Sequence, residues 1–184
     1  MRDESIAGFL DDLGAKRPTP GGGAVAALNG AVASAQLKMV CEYTKDKNII
    51  SNIDTLSQRV KTFLDLAEAD AKAYAEVSSA YKTKDETKIE ESLIKALNPS
   101  IDIIGVCEEL ISFCEVNYSK FNPLLKADLI VSLANLKASV RSSQAMITTN
   151  LDALAINPKN AEESRDYCYE LLERVDKLYK KLGA

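Results

Sequence analysis

The chain has 184 residues, 46% hydrophobic and 27% charged, the balance of an ordinary globular domain and not of a disordered or fibrous protein. Its 23 basic and 27 acidic residues leave a formal net charge of -4, and the basic ones are scattered instead of striped, which argues against a nucleic-acid partner. There is no histidine, so any acid-base chemistry falls to carboxylates, Lys, Tyr, Cys or water.

The length fits a single domain over residues 1–184. No apolar run reaches the roughly 18 residues that cross a bilayer, and Met1-Arg2-Asp3-Glu4 opens with charge of both signs instead of a signal sequence. The expectation is a cytoplasmic protein with no membrane partner. Cys41, Cys107, Cys114 and Cys168 are dispersed without a C-x-x-C pair, so neither a zinc site nor a redox dithiol is indicated, and reduced core thiols are expected.

Residues 5–13 read as a short amphipathic helix. Next comes Pro18-Thr19-Pro20-Gly21-Gly22-Gly23, which turns directly into a small-residue helix over 24–35. Consecutive glycines cost local stability, so bare backbone must be needed there. Two needs are open: positive φ angles at a sharp turn, or close approach of a ligand or of another chain to free N–H groups at a helix N-terminus. The segment lacks the lysine of a P-loop and follows no strand, so a nucleotide site is poorly supported. The helix after it has little side-chain volume and is expected to be central and buried.

Apolar residues then recur at spacings of three and four, the helical period, and strand signals are weak. Ile53, Leu56, Val60, Phe63, Leu64, Ala67, Ala71 and Tyr74 stripe a helix over about 51–81. Residues 85–97 read as a shorter helix stopped at Asn98-Pro99, and 100–118 as another, because proline disfavours continuation through it. A long helix of about thirty residues begins after Asn122-Pro123, and the last runs over 162–182 with lysines at its C-terminal end. The fold class is therefore all-α, an antiparallel bundle of about five long helices with short extra helices.

Several of these segments together resemble the cyclodeaminase/cyclohydrolase family, which comprises the C-terminal domain of formiminotransferase-cyclodeaminase and stand-alone methenyltetrahydrofolate cyclohydrolases. The run from Pro20 through Gly21, Gly22 and Gly23 to Ala31, followed by Met39-Val40, resembles the family's opening. Asp70-Ala71-Lys72-Ala73-Tyr74 resembles its Asp-x-x-Ala-Tyr/Phe element, and Asn98-Pro99 its proline at the next helix. Asn122-Pro123, Asp128 and Asn150-Leu151 resemble its Asn, Ser-Asp and Asn-Leu elements. Two positions depart: Ala24 stands where the family has Ser after the glycines, and Ala127 where it has Ser before the Asp. Each removes a hydroxyl that could bind substrate or cap a helix.

The resemblance implies a folate one-carbon enzyme. The reaction is either cyclodeamination of 5-formiminotetrahydrofolate to 5,10-methenyltetrahydrofolate and ammonia, or hydrolysis of the methenyl compound. It implies a tetrahydrofolate derivative as substrate, no prosthetic group and no metal, a homodimer with the site near the subunit interface, and a formiminotransferase as a partner. Asp70 and Asp128 are the catalytic candidates, each beside an apolar stripe, although most helix carboxylates are merely solvated or ion-paired. Pro20, Gly21, Gly22, Gly23, Tyr74, Asn122 and Lys45 are the substrate-binding candidates. Tyr74 either stacks on the pterin or fills the core, core filling being the expectation from sequence. Lys45 and Lys47 either hold a glutamate tail or complement a helix C-terminus. Cys41 could be a nucleophile in principle, but no basic partner to lower its pKa is visible. The competing class is a non-catalytic helical protein that binds folate or dimerises, favoured by Ala24 and Ala127.

Overall fold

The computed structural model describes residues 4–183, and every regular element among them is helical. In chain order these are α1 (Ile6–Gly14), α2 (Gly22–Glu42), a single turn α3 (Lys47–Ile50), α4 (Ile53–Thr83), α5 (Glu86–Asn117), α6 (Lys126–Leu151) and α7 (Lys159–Leu182), with a 3-10 turn Pro123–Leu125 before α6. Five long helices make the antiparallel bundle that the periodicity indicated. Side-chain caps fix several starts: Ser5 Oγ accepts the Gly8 N–H, Asp46 those of Asn48 and Ile49, and Asp85 that of Lys88. Lys84 and Gly183 end α4 and α7 in the left-handed conformation.

The small-residue helix α2 is the centre of the bundle, with α4 on one side and α6 on the other. A Cβ built on Gly30 would lie 2.4 Å from Phe63 Cε1, so glycine there lets the fully buried Phe63 ring of α4 reach the α2 backbone. On the other side α6 docks by hydrogen bonds from buried serines. Ser132 Oγ donates to the Ala33 carbonyl at 2.9 Å and Ser139 Oγ to that of Ala26 at 2.7 Å, which sets the antiparallel register of the two helices. At the edge, α7 is tied to α5 through Arg174, which donates to Glu115 and to Ser112 Oγ, both at 2.7 Å.

Two expectations are corrected. Pro99 does not stop a helix: α5 runs unbroken from Glu86 to Asn117 with Pro99 buried inside it. Proline removes one ladder hydrogen bond, at a cost of about 3 kcal/mol in an isolated helix. Here Leu97, Ser100, Ile103 and Ile104 around it are buried in the bundle, and the Asn150 side chain of α6 donates to the Ala96 carbonyl at 3.4 Å. Tertiary packing overrides the local signal. Second, α2 is long and apolar enough by length and composition to cross a membrane, with a mean hydropathy of 1.3 over an 18-residue window. Its apolarity is used inside the bundle, where Ala26, Ala27, Ala33, Leu37 and Val40 are fully buried.

Candidate active site

The glycine segment takes none of the positive φ angles that a sharp turn would require: Gly183 is the only positive-φ glycine among the described residues. Gly21 is the N-cap of α2 in an extended conformation, and Gly22 and Gly23 form its first turn. Close approach is the need that the structure meets. A Cβ on Gly23 would lie 2.0 Å from Asp70 Oδ1 and 2.2 Å from Asp70 Cγ, and one on Gly22 would lie 2.9 Å from Met146 Sδ. Asp70, on α4, sits directly against the N-terminus of α2, near the backbone N–H of Ala24.

That carboxylate is half-buried, and burial raises its pKa above the usual carboxylate range, while the Ala24 N–H pulls it back down. Burial thus raises the proton affinity of Asp70 above that of a free carboxyl, the direction of shift that suits a general acid or base. It opens into a pocket of about 220 Å³ lined by Gly21, Gly22, Tyr74, Met146 and Asn150 together with Pro18, Thr19, Ala73, Val77 and Ala96. Tyr74, one turn beyond Asp70, is 49% exposed and lines this pocket, so the expectation that it fills the core is overturned. Pro20 lies on the far side of the same segment, in a second cleft of about 470 Å³ with Phe9, Arg17, Ala24 and Ala67.

The remaining candidates lie elsewhere in the chain. Asp128, in the first turn of α6, accepts from Gln36 Nε2 at 3.4 Å. Gln36 stands about 20 Å along α2 from Gly23 at the helical rise. Asn122 and Lys45 are farther still, at the C-terminal end of α2 in a cleft of about 460 Å³ with Tyr43 and Lys120. The Asn122 side chain donates to the Tyr43 carbonyl at 2.9 Å and accepts the Leu124 N–H at 3.1 Å, which ties α2 to the turn before α6. Within one chain, then, Asp70, Tyr74 and the glycines form one group, and Asp128, Asn122 and Lys45 another at the opposite end.

Met146 and Asn150 are pocket residues that reading the chain for site residues missed. Asn150 carried a signal, as part of the Asn-Leu element; Met146 carried none, because its place depends on the register of α6 against α2. Cys41 is fully buried, and burial pushes its thiol up to about 12, so it is no nucleophile near neutral pH. Among the described residues no three metal-ligating side chains come together.

The sequence profile of the formiminotransferase-cyclodeaminase family matches residues 5–182. The chain belongs to that family. This cyclodeaminase/cyclohydrolase chain is 29% identical to a methenyltetrahydrofolate cyclohydrolase of Methylorubrum extorquens, over 99% of its own length and 92% of the relative's. It is 31% identical to the formimidoyltransferase-cyclodeaminase of Mus musculus over 45% of its length, a stretch that is 17% of the mouse protein. The crystal structure of a formiminotetrahydrofolate cyclodeaminase from Thermotoga maritima superposes with a TM-score of 0.77 at 26% identity, covering 98% of this chain and 94% of that one.

Proposed function

We propose that the chain is a formiminotetrahydrofolate cyclodeaminase, with Asp70 as its general acid. The observation that carries this reading is the raised proton affinity of a half-buried carboxyl at the mouth of a pocket, in a family whose members act on one-carbon derivatives of folate. In the reaction N10 attacks the formimino carbon on N5, forming a carbon–nitrogen bond while the C=N π pair moves to the imino nitrogen. That nitrogen takes up the proton that N10 loses and becomes an amino group on that carbon. Transfer of a proton from Asp70 to that amino group lets ammonia depart with the bonding pair. The product is the methenyl cation, and the carboxylate that remains stabilises it electrostatically. No step needs a metal or a prosthetic group.

A second reading, methenyltetrahydrofolate cyclohydrolase, is favoured by the whole-length relative of that name. Asp70 would then act as base, taking a proton from the water that adds to the methenyl carbon. One spectroscopic experiment separates the readings. Purified protein given 5-formiminotetrahydrofolate should generate the methenyl chromophore, and the cyclohydrolase reading predicts faster loss of that chromophore when the methenyl compound is supplied. Neither rate above buffer would leave the non-catalytic folate-binding reading in its place.

The pocket, about 220 Å³, is smaller than the roughly 300–1,000 Å³ of typical small-molecule sites. We infer that a second copy of the chain completes it. Between the two groups of candidate residues, α2 and α6 share an exposed face of Val32, Ala35, Val131, Ala134 and Ala138, with Val32 and Val131 44% and 47% exposed. A two-fold axis through this face, perpendicular to α2, would bring the Asp128 end of one protomer against the Asp70 end of the other. Light scattering should then give roughly twice the chain mass of 20.0 kDa; a mass that stays at the single-chain value through the working concentration range rejects the dimer. A formiminotransferase supplying the substrate fits the same reading.

A further inference from the structure

The face of α6 that packs on α2 carries one buried hydroxyl that nothing engages. Ser132 and Ser139 donate to α2 carbonyls, and the register they set, continued by one turn, places Ser143 against Gly22. Ser143 is fully buried, and its Oγ is the only buried hydroxyl among the described residues without a hydrogen-bond partner. Leaving such a group unpaired is costly, so a protein gains by keeping it only where something pairs with it in another state.

Its neighbours on the same helix face show what that state is. Met146 and Asn150 follow Ser143 at spacings of three and seven, and both line the pocket at Asp70. Met146 stands one turn beyond Ser143 and lines the pocket; its Sδ would lie 2.9 Å from a Cβ at Gly22, so it rests on bare backbone. Methionine is unbranched and turns aside at little cost. Asn150 donates its amide N–H to the Ala96 carbonyl, which leaves Oδ1 to accept a further hydrogen bond. The result is one free donor and one free acceptor on a single helix face, separated by a movable thioether.

We propose that Ser143 is a substrate-binding residue of this pocket: with Met146 turned aside, its hydroxyl donates to a carbonyl oxygen or ring nitrogen of a planar, lactam-like heterocycle while Asn150 Oδ1 accepts the adjacent N–H. In the folate reading, on which this rests, that edge belongs to the pterin. The hydroxyl absent at Ala24 is thereby matched by one that reaches the first turn of α2 from α6.

The test is calorimetric titration of the purified chain and its variants with 5-formyltetrahydrofolate, a stable folate, together with thermal melting. Ser143→Ala should weaken binding about three- to tenfold, the loss of one neutral hydrogen bond. It should leave Tm unchanged or higher, because no hydrogen bond of the free protein is lost. Ser139→Ala, which removes the bond to Ala26, should do the reverse, lowering Tm with Kd preserved. An unaltered Kd in Ser143→Ala, or a Tm fall equal to that of Ser139→Ala, overturns the assignment while the folate reading stands. Failure of the unaltered chain to bind the folate overturns both.

Discussion

The carboxylate of Asp70 occupies the space that a side chain on residue 23 would need: a Cβ on Gly23 would come within 2.0 Å of Asp70 Oδ1. The N-terminus of a helix attracts anions through free N–H groups and the aligned peptide dipoles. Here the carboxyl seated there is the chain's own, and burial outweighs the nearby Ala24 N–H, so that its proton affinity is raised. Substrate therefore meets Asp70 already seated on α2, with its direction fixed by backbone.

The Gly23 contact can be tested by substitution. Alanine is favoured over glycine in a helix by about 1 kcal/mol. Against this stands overpacking of about 1–3 kcal/mol, because Asp70 must move. Gly23→Ala should lower Tm and reduce turnover as severely as loss of Asp70 itself. In an Asp70→Ala background the obstruction is gone, and Gly23→Ala should become neutral or stabilising. Additive effects in the double-mutant cycle would show that the two residues do not interact.

The pH dependence of stability follows from the same carboxyl. Burial raises its folded pKa above the unfolded value, so folding favours the protonated form. The corresponding stabilisation is fully present below the unfolded pKa and is lost as pH rises through the folded one. Asp70→Asn stays neutral throughout. Relative to the native chain, its Tm should therefore be more favourable at pH 7 than at pH 4, and thermal melts at the two pH values measure the difference. A constant offset between the curves would remove burial as the dominant influence on Asp70.

The helices were legible because their information is local: apolar residues at three and four, Pro123 at the start of a long helix, and the small residues of α2 as the mark of a central helix. The run through Pro99 was not legible, since what sustains it is burial among neighbouring helices, supplied from a distance. The glycines declared that bare backbone was required, but not for whom. Asp70 as the occupant depends on the crossing of α4 over α2, and the exposure of Tyr74 on the same crossing. Met146 and Ser143 depend on the register of α6, which two serine hydroxyls set and no periodicity reports.

The cysteines should be chemically silent in the folded protein. All four are buried, and burial raises every thiol, those of Cys41, Cys107 and Cys168 to about 12. The thiolate is the reactive form, so a disulfide reagent at pH 8 should modify none of them in the native state and all four after denaturation. Rapid modification of Cys41 in the folded chain would contradict its place in the core.

Asp70 and Asp128 lie far apart in one chain, yet a dimer built on the α2–α6 face would join them, and subunit mixing distinguishes shared from separate sites. As acid-base or charge-stabilising groups, each should cost about 10²- to 10⁴-fold in kcat when changed to asparagine. Unfolding and refolding the two inactive variants together yields statistical dimers, half of them mixed. If every site takes Asp70 from one protomer and Asp128 from the other, each mixed dimer holds one intact site and one doubly defective site. Activity should then recover to about a quarter of that of the native protein. A mixture as inactive as its components would mean that the two carboxylates never serve one site across the interface, and Asp70 would carry the chemistry with groups of its own chain.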